Sequence, residues 1–229
     1  MHQTYNIFPT TIYLGELLEH QHHKEEFYKL YPKFDYEEND KHNTVSEKVG
    51  NPLIHLEDTL DPLFSEIIGH AKKYVCEILK YKDIFNYVIT KTWLSRMRDT
   101  KCIPWHIHST SHISFCYYVN MPPHSHAVEF DNPHYKNSLF LGSTSDIKYE
   151  EQRMLNEINA ENASTYYIVP PEGHVALFPS SLTHRTKCMN DNFNEERLAI
   201  VGDITLMLKE EHLHYSMGYI DEKYWKKYK

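Results

Sequence analysis

Apolar positions along the chain follow two regimes. Over residues 16–31 and 58–81 they recur at three- and four-residue steps, the spacing of one face of a helix. In the first stretch that face is Leu17, Leu18, Phe27, Leu30 and Tyr31; His20, His22 and His23 fall on the polar side and are expected in solvent. In the second it is Leu60, Leu63, Phe64, Ile67, Ile68, Ala71, Val75, Ile78 and Leu79, with Asp58 or Thr59 placed to cap the start. From residue 84 the pattern changes to short aromatic and β-branched runs punctuated by Pro, Asn and Gly. Strands are expected at 85–97, 112–120, 126–131, 138–141, 164–169, 174–178, 197–208 and 212–219. Residues 5–13, broken by Pro9, read as an extended lead-in, 33–52 as a polar surface loop, and the charged tail from Asp221 as a short helix. Pro170-Pro171-Glu172-Gly173 has the Pro at i+1 and Gly at i+3 of a type I turn. Helices first and strands afterwards is α+β order, here mainly β: two helices packed on a sandwich or double-sheet barrel. No linker interrupts the chain, so a single domain over 1–229 is expected, with 1–83 as helical support and 84–220 as the core.

Composition narrows the function. Hydrophobic residues at 41% and aromatics at 14% supply a sizeable core and exclude global disorder. Asp+Glu exceed Lys+Arg by 32 to 24, a net −8, which argues against a protein built to grip phosphate backbones. No run approaches a membrane span, and the opening MHQTYNIFPTTIY lacks the features of a signal peptide, so a cytoplasmic protein is expected. Cys76, Cys102, Cys116 and Cys188 are widely spaced without a C-x-x-C, and read as free thiols rather than a disulfide framework or zinc ribbon. With 7 glycines in total, and no Walker loop, Rossmann fingerprint or G-x-S-x-G, Gly-rich phosphate loops are excluded.

The densest chemical signal is Pro104-Trp105-His106-Ile107-His108-Ser109. In extended backbone, residues i and i+2 face the same side, so His106 and His108 can aim two imidazoles at one point, and imidazole suits iron, zinc, copper or nickel. In a chain with 17 histidines, the plain alternative is two strand histidines bonded to neighbours. A second signal is the strand from Val175 that ends at Pro179-Ser180 and delivers His184, followed by Arg197 at the head of an apolar strand. A buried guanidinium requires an anion and is shaped for bidentate carboxylate binding; pairing with Glu195 or Asp203 is the plain alternative. Asp203 shares strand parity with Arg197, and facing inward it needs a partner, for which a structural Lys or Arg is expected. Tyr117 and Tyr118 face opposite ways, one into a pocket and one into packing. Trp93 and Trp105 are expected as core or rim, and His112, His124, His126, His134 and His174 as surface or strand histidines.

The order H-x-H, strands, Leu177-Phe178-Pro179-Ser180-Ser181-Leu182-Thr183-His184, then Glu195-Glu196-Arg197-Leu198-Ala199-Ile200 resembles the iron(II)/2-oxoglutarate-dependent oxygenase superfamily. Further segments resemble its branch of 2-oxoglutarate/iron(II) oxygenases from marine bacteria and phages: residues 7–13 (IFPTTIY), Thr92-Trp93, Ser114-x-x-Tyr117-Tyr118, Phe130-Asp131-Asn132-Pro133, and Pro171-x-Gly173 through Ser180. The resemblance implies a double-stranded β-helix (a jelly-roll, cupin-like core) with flanking N-terminal helices. It implies that His106 and His184 hold Fe(II), that Arg197 grips the distal carboxylate of 2-oxoglutarate, and that O2 is the other cosubstrate. The implied reaction is oxidative decarboxylation coupled to hydroxylation of a substrate, with a peptide side chain the first expectation.

The chain departs from that pattern where most relatives carry H-x-D or H-x-E: His108 takes the carboxylate's place. His108 can be the third ligand, two histidines can act with water, or Glu129 or Asp131 can complete the set. Ala199 stands where many relatives have Ser or Thr, so Tyr118 or Ser114 is the expected substitute donor for the cosubstrate. Two other functions stay open: a cupin-like three-histidine metalloenzyme without 2-oxoglutarate, and a non-catalytic jelly-roll module.

Overall fold

In the computed structural model, residues 3, 8–33, 53–98, 100, 102–134, 156–157, 159, 161–215 and 218–228 are described. The expected strand at 138–141, Ile7, and most of the loops 33–52 and 142–163 lie outside them.

Among the described residues, eight strands form two antiparallel sheets. The larger has the order β1 (Tyr13–Glu16), β6 (His174–Pro179), β3 (Ile113–Asn120), β8 (Arg197–Leu208), β2 (Phe85–Met97). The smaller has the order β5 (Thr165–Ile168), β4 (His126–Asp131), β7 (His184–Cys188). Central β3 is buried along nearly its whole length, so its two alternating faces serve two different cores. Phe115, Tyr117 and Val119 join Val175, Leu177, Leu198, Ile200 and Ile204 beneath the helices. Cys116 and Tyr118 point the other way, among Ala176 and Ala199. That second face is roofed by the smaller sheet, where Phe178 of β6 meets Phe130 of β4 edge-on at 5.1 Å between ring centroids.

The helices cover the outer face. α1 (His20–Leu30) buries Phe27 and Leu30 together with the preceding Leu17, at about 1.5–3 kcal/mol for each large side chain removed from water. Leu18 is 86% exposed, against expectation, because the helix starts only at His20 and two adjacent residues ahead of it cannot both face inward. His20 and His23 are not in solvent either. His23 is buried and its Nε2 meets Glu66 at 2.8 Å, while His20 Nδ1 meets the Tyr117 hydroxyl at 2.7 Å. These two imidazoles tie α1 to the second helix and to the sheet; His22 alone of the three is exposed.

α2 (Asp61–Lys72) follows a 3-10 turn, Asp58–Leu60, and has Pro62 in its first turn, where a missing N–H costs nothing. Neither Asp58 nor Thr59 caps it through a side chain. Beyond Lys72 it widens into a π-helical turn, Lys73–Ile78, closed by Leu79 N–H to Tyr74 O at 2.9 Å. The wider turn rotates the apolar face, so Tyr74 enters the core and Ile78, expected inside, is exposed.

Three local expectations fail for identifiable reasons. The run 212–219 is not a strand in its described residues; Tyr219 makes one isolated bridge to Met207 after a 3-10 turn at Glu210–His212. The turn before β6 lies one residue later than expected. His174 N–H bonds to Pro171 O, which puts Gly173 at i+2 with φ +79°, the conformation a type II turn demands. Finally, β7 (HRTKC) has no apolar run to betray it, because its buried positions are His184 and Thr186.

Candidate metal centre

The two histidine stretches meet through their backbones. His106 N–H donates to His184 O and His184 N–H to His106 O, both at 3.0 Å, so this closed antiparallel pair puts the two rings on one side. His108 N–H donates to Ser180 O at 2.9 Å, which fixes the end of the H-x-H segment against the end of β6. Ring centroids lie 4.2 Å apart for His106 and His184, 5.1 Å for His108 and His184, and 5.3 Å for His106 and His108. One ligand atom from each ring falls within 4.8 Å of the others. His108 and His184 are buried; His106 is half-buried.

Every ring has its Nδ1 engaged by an oxygen. His106 Nδ1 lies 2.8 Å from Pro104 O, and His184 Nδ1 lies 2.8 Å from Leu182 O. His108 Nδ1 lies 2.7 Å from Asp203 Oδ1. An Nδ1–H that donates to oxygen leaves the lone pair of the neutral ring on Nε2, the form a ligand needs. Burial, with neighbouring His106 a lesser cause, pushes His184 down to about 3, so this ring is neutral at any ordinary pH.

Behind His108 lies a buried polar cluster. Asp203 Oδ1 accepts from His108 and from the hydroxyls of Ser111 at 3.0 Å and Ser114 at 3.2 Å. Ser180 Oγ joins both serines, at 2.8 and 3.0 Å. Asp203 therefore pairs with a histidine and two serines, not with the Lys or Arg expected. Ser114, considered above as a donor to a cosubstrate, is held in this cluster, 2.7 Å from His108 Nδ1.

Arg197 opens β8 on the same face of the larger sheet and is 3% exposed. Its NH1 donates to Ser95 Oγ at 2.8 Å, its NH2 lies 3.9 Å from Cys116 Sγ, and the guanidinium carbon sits 5.3 Å from the centroid of the Tyr118 ring. Ser95 is in register with Ala199 and Cys116 with Val201, so the guanidinium reaches along β8 toward the Asp203 end. It pairs with neither Glu195, which is exposed, nor Asp203, and among the described residues no carboxylate meets it. Its Nε and the Tyr118 hydroxyl are both buried without a hydrogen-bond partner. Burial raises the Tyr118 phenol and the Cys116 thiol, so neither supplies a counter-charge.

The carboxylates considered as third ligand lie outside the histidine group, among the described residues. Glu129 is buried but committed to Arg185 at 2.6 Å, Thr165 at 3.0 Å and Lys187 at 3.4 Å. Asp131 is half-buried, and burial raises its carboxyl. Aromatic rings wall the centre: Trp93 lies 5.2 Å from His108 and Phe178 4.7 Å from His184. Trp105, at the rim, stacks under Arg185 at 4.4 Å. Ser95 and the His108–Asp203 pair went unread in the sequence; short polar residues at inward strand positions were the one signal available.

These residues suit a divalent cation beside a small dicarboxylate. Three imidazoles of one tautomer converge, and along the same face lies a buried guanidinium that no carboxylate meets among the described residues, beside an unbonded hydroxyl.

Comparison with known proteins agrees. Residues 91–203 match the family described as "Putative 2OG-Fe(II) oxygenase", a span that contains all three histidines and Arg197. No curated protein sequence matches the chain. Among solved structures, HygX from Streptomyces hygroscopicus, with nickel, 2-oxoglutarate and hygromycin B bound, superposes with a TM-score of 0.55 at 11% identity, covering 93% of this chain and 92% of that one. A prolyl-4-hydroxylase from Pseudomonas putida gives 0.51 at 10% identity over 85% and 92%. AviO1 from Streptomyces viridochromogenes Tue57 gives 0.50 at 15% identity over 85% and 89%. At these identities the superpositions speak to the fold, and the sequence match speaks to the family. Over residues 91–203 the chain is similar to the 2OG-Fe(II) oxygenases, and it is an oxidoreductase of that kind.

Proposed function

We propose that the chain is a hydroxylase in which His106, His108 and His184 hold Fe(II) and Arg197 holds the distal carboxylate of 2-oxoglutarate. The observation that carries this reading is the guanidinium of Arg197, buried on a strand with an orphaned Nε and no carboxylate among the described residues. A buried charge without its partner costs several kcal/mol, and a bidentate carboxylate supplies that partner in the geometry Arg prefers. Bound here, Fe(II) and 2-oxoglutarate would supply, with O2 as the oxidant, oxidative decarboxylation to succinate and CO2, one oxygen atom of O2 entering succinate and the other a C–H bond of the substrate.

The chain's own residues prepare the site. Ser95 anchors one end of the guanidinium and leaves Nε for the ligand. The Tyr118 hydroxyl donates to the same carboxylate, in place of the Ser or Thr that Ala199 replaces. Trp93, Phe178 and Phe130 exclude water around the three rings. The two sheets then form a double-stranded β-helix within one domain; residues 1–83 support it through α1 and α2 and also give β1 to the larger sheet.

The substrate is read by loops at 33–52, 121–137 and 142–163. A peptide side chain is our first assignment, by analogy with the prolyl-4-hydroxylase neighbour; HygX, of the same fold, has hygromycin B bound.

Anaerobic loading with Fe(II), titration with 2-oxoglutarate, and admission of air test the reading. Succinate release is expected. Arg197→Ala is expected to abolish 2-oxoglutarate binding while leaving metal content intact; retained affinity overturns the assignment. The all-histidine ligand set favours one competing reading, a three-histidine metalloenzyme without 2-oxoglutarate. Calorimetry with no 2-oxoglutarate heat on the metal-loaded protein selects it.

A further inference from the structure

We propose that Asp203 supplies, from one hydrogen bond outside the coordination sphere, the negative charge that a carboxylate ligand would otherwise bring to the metal. The proposal rests on the reading of His106, His108 and His184 as ligands.

Three neutral imidazoles leave the charge of a divalent cation uncompensated, where a set of two histidines and a carboxylate removes one unit. Among the described residues, Asp203 is the buried carboxylate in contact with the ligand set, and it contacts the residue that stands in the carboxylate's place. Asp203 is 3% exposed, and its Oδ1 lies 2.7 Å from His108 Nδ1. A proton shared along that bond makes the imidazole a stronger, more anionic donor at Nε2. The serines have a definite part. Ser111 and Ser114 donate to the same oxygen, and Ser180 braces both, so the carboxylate is solvated by the fold and cannot swing away. His106 and His184 differ in kind, since their Nδ1 atoms face neutral backbone carbonyls. The charge of Asp203 is therefore delivered through His108. Asp203 is a positioning residue: it acts on the metal through His108 and touches neither metal nor substrate.

Relocating the charge tests this. Asp203→Asn keeps the shape and an acceptor for Nδ1 but removes the charge. It is expected to weaken Co(II) binding by about 10–100-fold, the usual cost of losing an outer carboxylate, and to raise the Fe(III)/Fe(II) midpoint potential, since the oxidised ion loses more from the missing charge. A merely structural Asp203 would leave the potential where it is. His108→Asp alone crowds two carboxylates and is expected to bind Co(II) poorly. His108→Asp with Asp203→Asn moves the charge inward, and is expected to recover affinity to within about tenfold of the parent, the range over which outer partners act.

Wild-type Co(II) affinity and an unshifted potential in Asp203→Asn overturn the proposal. If Asp203→Asn does not fold, the double variant decides: no gain over His108→Asp also overturns it. A parent protein that binds neither Co(II) nor Fe(II) removes the three-histidine reading itself. A parent that binds both, with an indifferent Asp203→Asn, removes only the role of Asp203.

Discussion

The guanidinium of Arg197 lies 5.3 Å from the centre of the Tyr118 ring, and the two residues share one deficiency: the Arg197 Nε and the Tyr118 hydroxyl are both buried and unbonded. Folding has left a cation and a donor side by side in a dry place, a costly arrangement unless an anion joins them.

This arrangement predicts opposite effects on stability and binding. Arg197→Met removes a buried charge that no carboxylate meets among the described residues, while keeping much of its volume. The ligand-free protein is expected to melt higher than the parent, and 2-oxoglutarate is expected to give no further stabilisation. A lower melting temperature in the ligand-free variant would contradict the unpaired-charge account.

Tyr118→Phe removes one donor and leaves the ring beneath the guanidinium. Ligand-free stability should be unchanged or slightly raised, because an unsatisfied hydroxyl is lost. Affinity for 2-oxoglutarate should fall about 2–10-fold, the worth of one ordinary hydrogen bond. Calorimetry on parent and variant, both metal-loaded, reads the difference.

Glu129 separates structure from chemistry. It is held by Arg185, Thr165 and Lys187 rather than by the histidine group. Glu129→Gln is expected to cost about 1–3 kcal/mol in urea unfolding, the loss of a buried pair discounted for the part-exposed Arg185 and Lys187. Metal stoichiometry should not change. A variant that lost its metal while still folded would restore Glu129 as a ligand.

Gly202 sits at a close approach in the helix-side core. A Cβ there would stand 2.5 Å from Phe115 Cζ and 2.7 Å from Lys91 O. The ring can tilt but the strand carbonyl cannot. Gly202→Ala is expected to destabilise by about 1–3 kcal/mol, a typical cost of overpacking, with little relief from an added Phe115→Leu. Denaturant midpoints of the single and double variants test both statements.

Acid is expected to destabilise the protein before most carboxylates titrate. Burial lowers His70, which is bonded to the Tyr13 hydroxyl at 2.7 Å, and burial also lowers His55 and His112. The unfolded chain takes up these protons first, so stability is full above the ordinary histidine value of about 6.5 and declines as pH falls below it. The melting temperature should drop between about pH 7.5 and 5.5, and His70→Gln should flatten part of that slope. A variant slope as steep as the parent's would remove His70 from the account.

Much of the sheet is legible from alternation. The limits of β2, β4 and β8 match the sequence reading, β3 and β6 differ by one residue at one end, and β5 by one residue at each end. A run such as RLAIVGDITLML announces its own strand. HRTKC in β7 does not, because its inward residues are a histidine and a threonine. Histidines mislead in both directions. His20 and His23 look like a solvated face until Tyr117 and Glu66, distant in the chain, turn out to stand opposite them.

What the sequence by itself determined is periodicity and direction: the two helices and most of the described strands, and that the pair 106 and 108, and the pair 197 and 203, each look to one side. Those follow from local backbone geometry, in which successive strand residues alternate faces. Only the tertiary structure decided partners: His184 against His106, Asp203 behind His108 rather than beside Arg197, and Glu129 turned to Arg185. Partnership depends on the register between strands far apart in the chain, and register is set by how two whole faces pack, which no short stretch of residues encodes.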